Sequence, residues 1–282
     1  MKKYLSFIKF SHTIFAMPFA FIGFFLGMDS EKFEWITLLL VGLCMIFARS
    51  AAMGFNRYVD RDIDKENERT SLNREIPNGS ITTRNALIFV IINTALFITT
   101  TYLINNLCFI LSPIALIIIL GYSYTKRFTA LCHLILGISL SLSPIGAYLA
   151  IQGEFDIIPI LFSLSVLFWV SGFDIIYSLQ DEKFDRKHQL HSIPVLLGIN
   201  NALKLSAILH FICVIILIFA GLLNNSYVWY WIGYFIFTAL IIYQHTLVKH
   251  NDLSRINLAF FKTNGIASII FGFFTILDIL LK

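Results

Sequence analysis

Two acidic segments carry residue types at spacings that can do chemistry. The first reads Asn56-Arg57-Tyr58-Val59-Asp60-Arg61-Asp62-Ile63-Asp64. The second runs from Asp174 through Tyr177 and Asp181 to Asp185. Both lie where long apolar runs end. A carboxylate at the edge of a hydrocarbon slab is costly unless it faces a wet cavity and has partners. On an α-helix each residue turns about 100° and rises about 1.5 Å. Asn56, Asp60 and Asp64 are spaced by four, so they form one stripe. Arg49 shares that face one level deeper, and Asp62 points elsewhere as a solvated carboxylate. Asp174, Asp181 and Asp185 fall near a second common line, with Tyr177 flanking it and Gln180 facing away. Each stripe suits Mg²⁺, which takes one or two carboxylates together with waters and phosphate oxygens rather than a full protein cage. A phosphate-bearing substrate is the expected companion.

The elements that must position these stripes are membrane helices. The 282 residues are 57% apolar and only 13% charged, and mean hydropathy is +0.78. Soluble domains carry about a quarter charged residues. A spanning helix needs roughly 20 apolar residues, and nine such stretches are expected: 7–28, 35–60, 86–105, 107–124, 131–151, 157–181, 203–222, 227–248 and 257–281. The first, with His12 and Pro18, is read as a retained span rather than a secretion signal. His12 is expected to be a packing residue, and His188 and His191 to lie in an exposed basic loop. The fold class is thus an all-α polytopic membrane protein, with two pseudo-repeated bundles around a central cavity.

Alternating the spans puts 18 of the 21 Lys and Arg on one side, with Lys32 and Lys282 on the other and Arg49 inside a span. The positive-inside rule makes that side, with the N-terminus and both acidic segments, cytoplasmic. The expected location is the inner (cytoplasmic) membrane. The distribution of the net charge of +4, with no aromatic-studded basic domain, does not point to a nucleic-acid partner, and no obligate protein partner is evident. Cys44, Cys108, Cys132 and Cys213 are scattered without zinc-like spacing. A weak internal repeat is visible, since each acidic segment is followed by Ile-Pro (Ile76-Pro77, Ile193-Pro194) and a Gly (Gly79, Gly198). It divides the chain into approximately 1–125 and 126–250 plus a final helix, 257–281, and parallel repeats place a shared site between their halves.

The acidic segments resemble the two signature motifs of the UbiA superfamily of intramembrane prenyltransferases. Asn56, Asp60 and Asp64 are similar to its Asn-x-x-x-Asp-x-x-x-Asp motif. Asp174, Asp181 and Asp185 are similar to its second motif. The wording of Ala48–Arg57 and Tyr177–Asp181 is nearest to bacterial 4-hydroxybenzoate polyprenyltransferase-like members. The resemblance implies nine spans in two halves and Mg²⁺ held by Asn56 and the five motif Asp residues, which it also makes catalytic. It further implies transfer of a polyprenyl group from polyprenyl diphosphate to an aromatic acid, 4-hydroxybenzoate or a naphthoate-type acceptor, in ubiquinone or menaquinone synthesis. Arg57 departs from the Asn-Asp pair of many relatives, which puts substrate subclass in question. Tyr122, Tyr124 and Lys126 resemble the family's Tyr/Lys element near the diphosphate. Arg69 and Arg74 are expected to clamp it, and Arg49 to face Asp174 or the acceptor's carboxylate. The rival readings are a transporter or divalent-cation carrier, and a relative with a bulkier acceptor.

Overall fold

The computed structural model describes residues 2–9, 16–28 and 33–282. His12 and Lys32 lie outside the described residues. Among those described there are helices and no strands. In chain order they are α1 (Lys2–Phe7), α2 (Met17–Gly27), α3 (Trp35–Val59), α4 (Arg61–Glu66), α5 (Glu68–Ser71), α6 (Thr83–Ile104), α7 (Asn106–Thr125) and α8 (Cys132–Gln152). Then come α9 (Ile157–Ser178), α10 (Glu182–Lys187), α11 (Ile193–Leu223), α12 (Val228–Leu247) and α13 (Asn264–Leu280). Polar side chains set the starts of several long helices. Thr82, Asn105, Asp156 and Ser192 each accept a backbone N–H from the first turn that follows.

Seven of the nine expected spans appear as helices long and apolar enough to cross a membrane, which makes the chain polytopic. The other two differ. The stretch 7–28 is not one continuous helix, because α1 ends at Phe7 and Lys9 has a left-handed backbone (φ 47°). The 11 residues of α2 rise roughly 16 Å, about half of a hydrocarbon core. The eighth stretch forms α12, whose 20 residues include two Trp and three Tyr and which is not among those seven. The seventh begins earlier than expected. It starts at Ile193 and breaks at Gly198, whose φ of 75° and ψ of 162° only glycine adopts readily.

Helix α9 packs along α8 and α11, α3 packs on α6, and α12 pairs with α13, which returns to α2. Small residues permit the closest approaches. A side chain on Gly23 would strike the Pro144 backbone where α2 meets α8, and one on Gly137 would strike Leu167 O where α8 meets α9. The main core lies among α2, α9, α11, α12 and α13. There Trp169 sits 5.3 Å from Phe19 and 5.6 Å from Phe237, with Phe271 5.1 Å beyond Phe237 (ring centroids). The opposite side, among α3, α6, α7 and α8, encloses an apolar cavity of about 360 Å³.

Candidate active site

Twelve of the thirteen expected site residues line one polar cavity of about 280 Å³. Tyr124 is the exception. It points outward, its ring 5.8 Å from Phe55 and beneath the Arg127 guanidinium. Tyr122 lines the cavity from the same helix, since two residues turn about 200°.

The first stripe survives a helix boundary. α3 gives way to α4 at Asp60, yet Asp60 N–H still donates to Asn56 O (2.9 Å) and Asp64 N–H to Asp60 O (2.8 Å). Asn56 Nδ2 also donates to Asp60 Oδ2 at 3.0 Å. Asp60 and Asp64 are each only 3% exposed, whereas the Asp62 side chain is 80% exposed. The second stripe does not run along one straight helix. α9 ends at Ser178, a 3₁₀ turn covers Leu179–Asp181, and α10 then carries Asp185. That tighter turn re-aims the chain so that Asp174, Asp181 and Asp185 all reach the same cavity.

Cations hold these carboxylates. Arg127 Nη2 lies 3.0 Å from Asp60 Oδ1 and Lys126 Nζ lies 3.8 Å from Oδ2. Arg74 pairs with Asp64. Arg69 grips Asp181 with two bonds, Nε to Oδ1 at 2.9 Å and Nη2 to Oδ2 at 2.5 Å, and donates to Tyr177 Oη at 3.2 Å. Burial alone would lower the Arg69 pKa, but the hydrogen bond and charge of Asp181 outweigh it and raise it above the ordinary value. Asn67 accepts Arg69 N–H and donates to Asp181 Oδ1 at 3.2 Å. The loop after the first motif is therefore bonded directly to the second motif.

Asp174 is not paired with Arg49, one of that residue's two expected partners. Its partner is His133, whose Nδ1 stands 2.7 Å from Asp174 Oδ2. His133 Nε2 accepts the Ile193 N–H at 3.3 Å. An acceptor nitrogen carries a lone pair, so the proton sits on Nδ1 and is donated to Asp174. His188 is half-buried rather than exposed, bridging to Glu66 Oε2 at 3.1 Å and stacking on Phe184, while His191 is exposed. Sequence spacing did not single out His133, Asn67, Arg127, or Phe260, whose ring lies 4.2 Å from Tyr177 and meets Phe173 edge-on at 5.2 Å.

Five Asp and five Lys or Arg line the cavity. Asp60 Oδ1 and Asp64 Oδ2 are fully buried and have ion-pair neighbours but no aligned hydrogen bond. These are hard, anionic oxygens of the kind Mg²⁺ takes. Among the described residues no three His, Cys, Asp or Glu side chains stand close enough to hold a metal alone. The polar cavity abuts the apolar one, and Arg49, Met53, Tyr122, Leu136 and Leu140 line both. Together they fit a ligand with an anionic head and a long apolar tail.

Residues 16–266 match the UbiA prenyltransferase family. The chain is 30% identical over 252 residues to a 4-hydroxybenzoate octaprenyltransferase of Nitrosomonas eutropha, covering 89% of this chain and 86% of that protein. It superposes on the apo structure of a UbiA homolog from Aeropyrum pernix K1 with a TM-score of 0.85 and 32% identity, covering 95% of this chain and 98% of the other. A UbiA homolog from Archaeoglobus fulgidus, solved with DMAPP and Mg²⁺, shares the fold at a TM-score of 0.75 and 24% identity, with 99% of each chain covered. Matched over most of its length by sequence and shape, the chain belongs to the UbiA prenyltransferase family.

Proposed function

We propose that this protein transfers a polyprenyl group from its diphosphate to an aromatic acid, 4-hydroxybenzoate or a naphthoate-type acceptor, in an Mg²⁺-dependent reaction of ubiquinone or menaquinone synthesis. The observation that carries this reading is the junction of two cavities. One is lined by paired acids and bases, the other is apolar, and Arg49 and Tyr122 stand between them. The names of the relatives and the prenyl diphosphate and Mg²⁺ in the Archaeoglobus fulgidus homolog support it.

Asn56, Asp60 and Asp64 would hold one metal ion, and Asp174, Asp181 and Asp185 another. Mg²⁺ bound there would neutralise the diphosphate and make it a better leaving group. The chain's own residues do the rest. Arg69, Arg74 and Lys126 pair with the carboxylates, and with metal on the acids these cations would be free to bind the phosphate oxygens. Arg and Lys differ here, since the guanidinium fork matches two oxygens while the ammonium acts as a point charge. The prenyl tail lies along Ala48, Ala115, Ile119 and Leu142 in the apolar cavity, where water is kept from the allylic carbon. Phe173, Tyr177 and Phe260 present ring faces and edges near Asp174, suited to a developing cation. Arg49, with its Nε buried and without a hydrogen-bond partner at the junction, binds the acceptor's carboxylate. The excess of basic residues on the loops carrying the site supports a cytoplasmic mouth and N-terminus.

The test is purified protein with polyprenyl diphosphate, 4-hydroxybenzoate and Mg²⁺. Prenylated acid and free diphosphate should form together, and only with all three present. Mg²⁺-dependent diphosphate release without any aromatic acid, or no release, would sink the reading.

A further inference from the structure

Four of the five cavity carboxylates have a basic partner on the protein, and the basic residues left over are on α3. Arg57 is the more buried of these, 7% exposed, and it lines the polar cavity but not the apolar one. Its Nε is fully buried with no hydrogen-bond partner, and among the described residues it makes no hydrogen bond and no ion pair within 4.0 Å. The acids that attract it through space are already engaged. Asp64 pairs with Arg74, and Glu75 accepts the Ser6 hydroxyl at 2.6 Å. Arg74 itself opposes it. A buried charge without a partner is destabilising, so this position is unfavourable unless an anion arrives.

The place of Arg57 on the helix says which anion. It follows Asn56 and precedes Asp60 by three residues, so it stands at the level of the first acidic stripe. Arg49 is eight residues earlier, roughly 12 Å down the helix, at the junction with the apolar cavity. The anion beside the acidic stripe is the substrate's head.

We propose that Arg57 is a diphosphate-binding residue of this cavity, its guanidinium taking an oxygen of the leaving group while Arg49 takes the acceptor. The assignment rests on the prenyl-transfer reading above. The test uses the full chain in detergent, with Arg57→Met and Arg57→Lys, and inorganic pyrophosphate with Mg²⁺ as the probe. Arg57→Met should raise KM for polyprenyl diphosphate and Ki for pyrophosphate in parallel, each by about 10- to 100-fold, the loss expected for a charge-assisted hydrogen bond. KM for the aromatic acid should not change. Arg57→Lys keeps the charge without the fork and should fall between. Without ligand, the Tm of Arg57→Met should equal or exceed that of the unsubstituted protein, because a buried unpaired charge has been removed. The rise in Tm on adding pyrophosphate should shrink. A lowered ligand-free Tm with an unchanged pyrophosphate Ki would make Arg57 a structural counter-ion to Glu75 and overturn the assignment. So would a rise confined to the acceptor KM. Failure of the unsubstituted protein to bind pyrophosphate with Mg²⁺ would overturn the functional reading as well, whereas binding that survives Arg57→Met removes the Arg57 assignment alone.

Discussion

Replacing His133 tests whether Asp174 is held ready for metal by a neighbour on another helix. His133 makes two bonds that fix its ring, one to Asp174 Oδ2 at 2.7 Å and one from the Ile193 N–H at 3.3 Å. His133→Ala removes a bond to a charged carboxylate, about 1.5–3 kcal/mol, and leaves a buried N–H unpaired, about 1–3 kcal/mol more. Part of that cost falls on stability. The part that falls on Asp174 appears as a looser metal site, and loss of a residue that orients a metal ligand typically costs about 10–100-fold in metal affinity or activity. His133→Gln is the informative partner, because its amide can donate to Asp174 and accept from Ile193. The assay is the initial rate of prenyl transfer against Mg²⁺ concentration at saturating substrates. The half-saturating Mg²⁺ should rise about 10–100-fold in His133→Ala and recover substantially in His133→Gln. His133→Ala combined with Asp174→Asn should be little worse than Asp174→Asn alone, as expected for two members of one unit. An unchanged Mg²⁺ dependence in a folded His133→Ala protein would refute the positioning role.

Asp60→Ala should abolish prenyl transfer in a folded protein. Asp62→Ala, whose side chain is 80% exposed, should keep near-normal rates and change stability by less than about 0.5 kcal/mol. Arg49→Leu should raise KM for the aromatic acid more than KM for the diphosphate, as read from steady-state kinetics. A Cβ on Gly198 meets nothing within 4 Å, so Gly198→Ala isolates the backbone penalty of φ 75°. It should destabilise the protein by about 1–3 kcal/mol, measured as a lowered Tm.

How much of this was legible in the sequence depended on the range of the signal. The acidic stripes were readable because four-residue spacing maps directly onto a helix face, and that face survives the break at Asp60. The second stripe was readable as a set, though the 3₁₀ turn at Leu179–Asp181 that re-aims it was not. His133 and Asp174 are 41 residues apart on different helices, and no spacing rule links them. A polar residue one position into an apolar run was the available hint. Arg127 counted only as one charge in a basic loop, yet it caps the carbonyls of Ser123 and Val59 and reaches Asp60. The π-helical turn Leu258–Thr263 carries no propensity signal. Its mark is the polar pair Thr263-Asn264 within an apolar helix, whose side chains take the carbonyls of Leu258, Ala259 and Phe260. The break in the stretch 7–28 was not readable, because apolar content alone does not show a left-handed backbone at Lys9.

The most direct test is to locate the ions. Crystals of the protein grown with Mn²⁺ and a non-reactive thio-analogue of the prenyl diphosphate would show each ion by its anomalous signal. The account predicts one metal on the Asn56, Asp60 and Asp64 set and another on the Asp174, Asp181 and Asp185 set, bridged by one diphosphate, with Arg69 moved from Asp181 onto phosphate. Metal confined to one set of acids, or a diphosphate bound while Arg69 still grips Asp181, would contradict it.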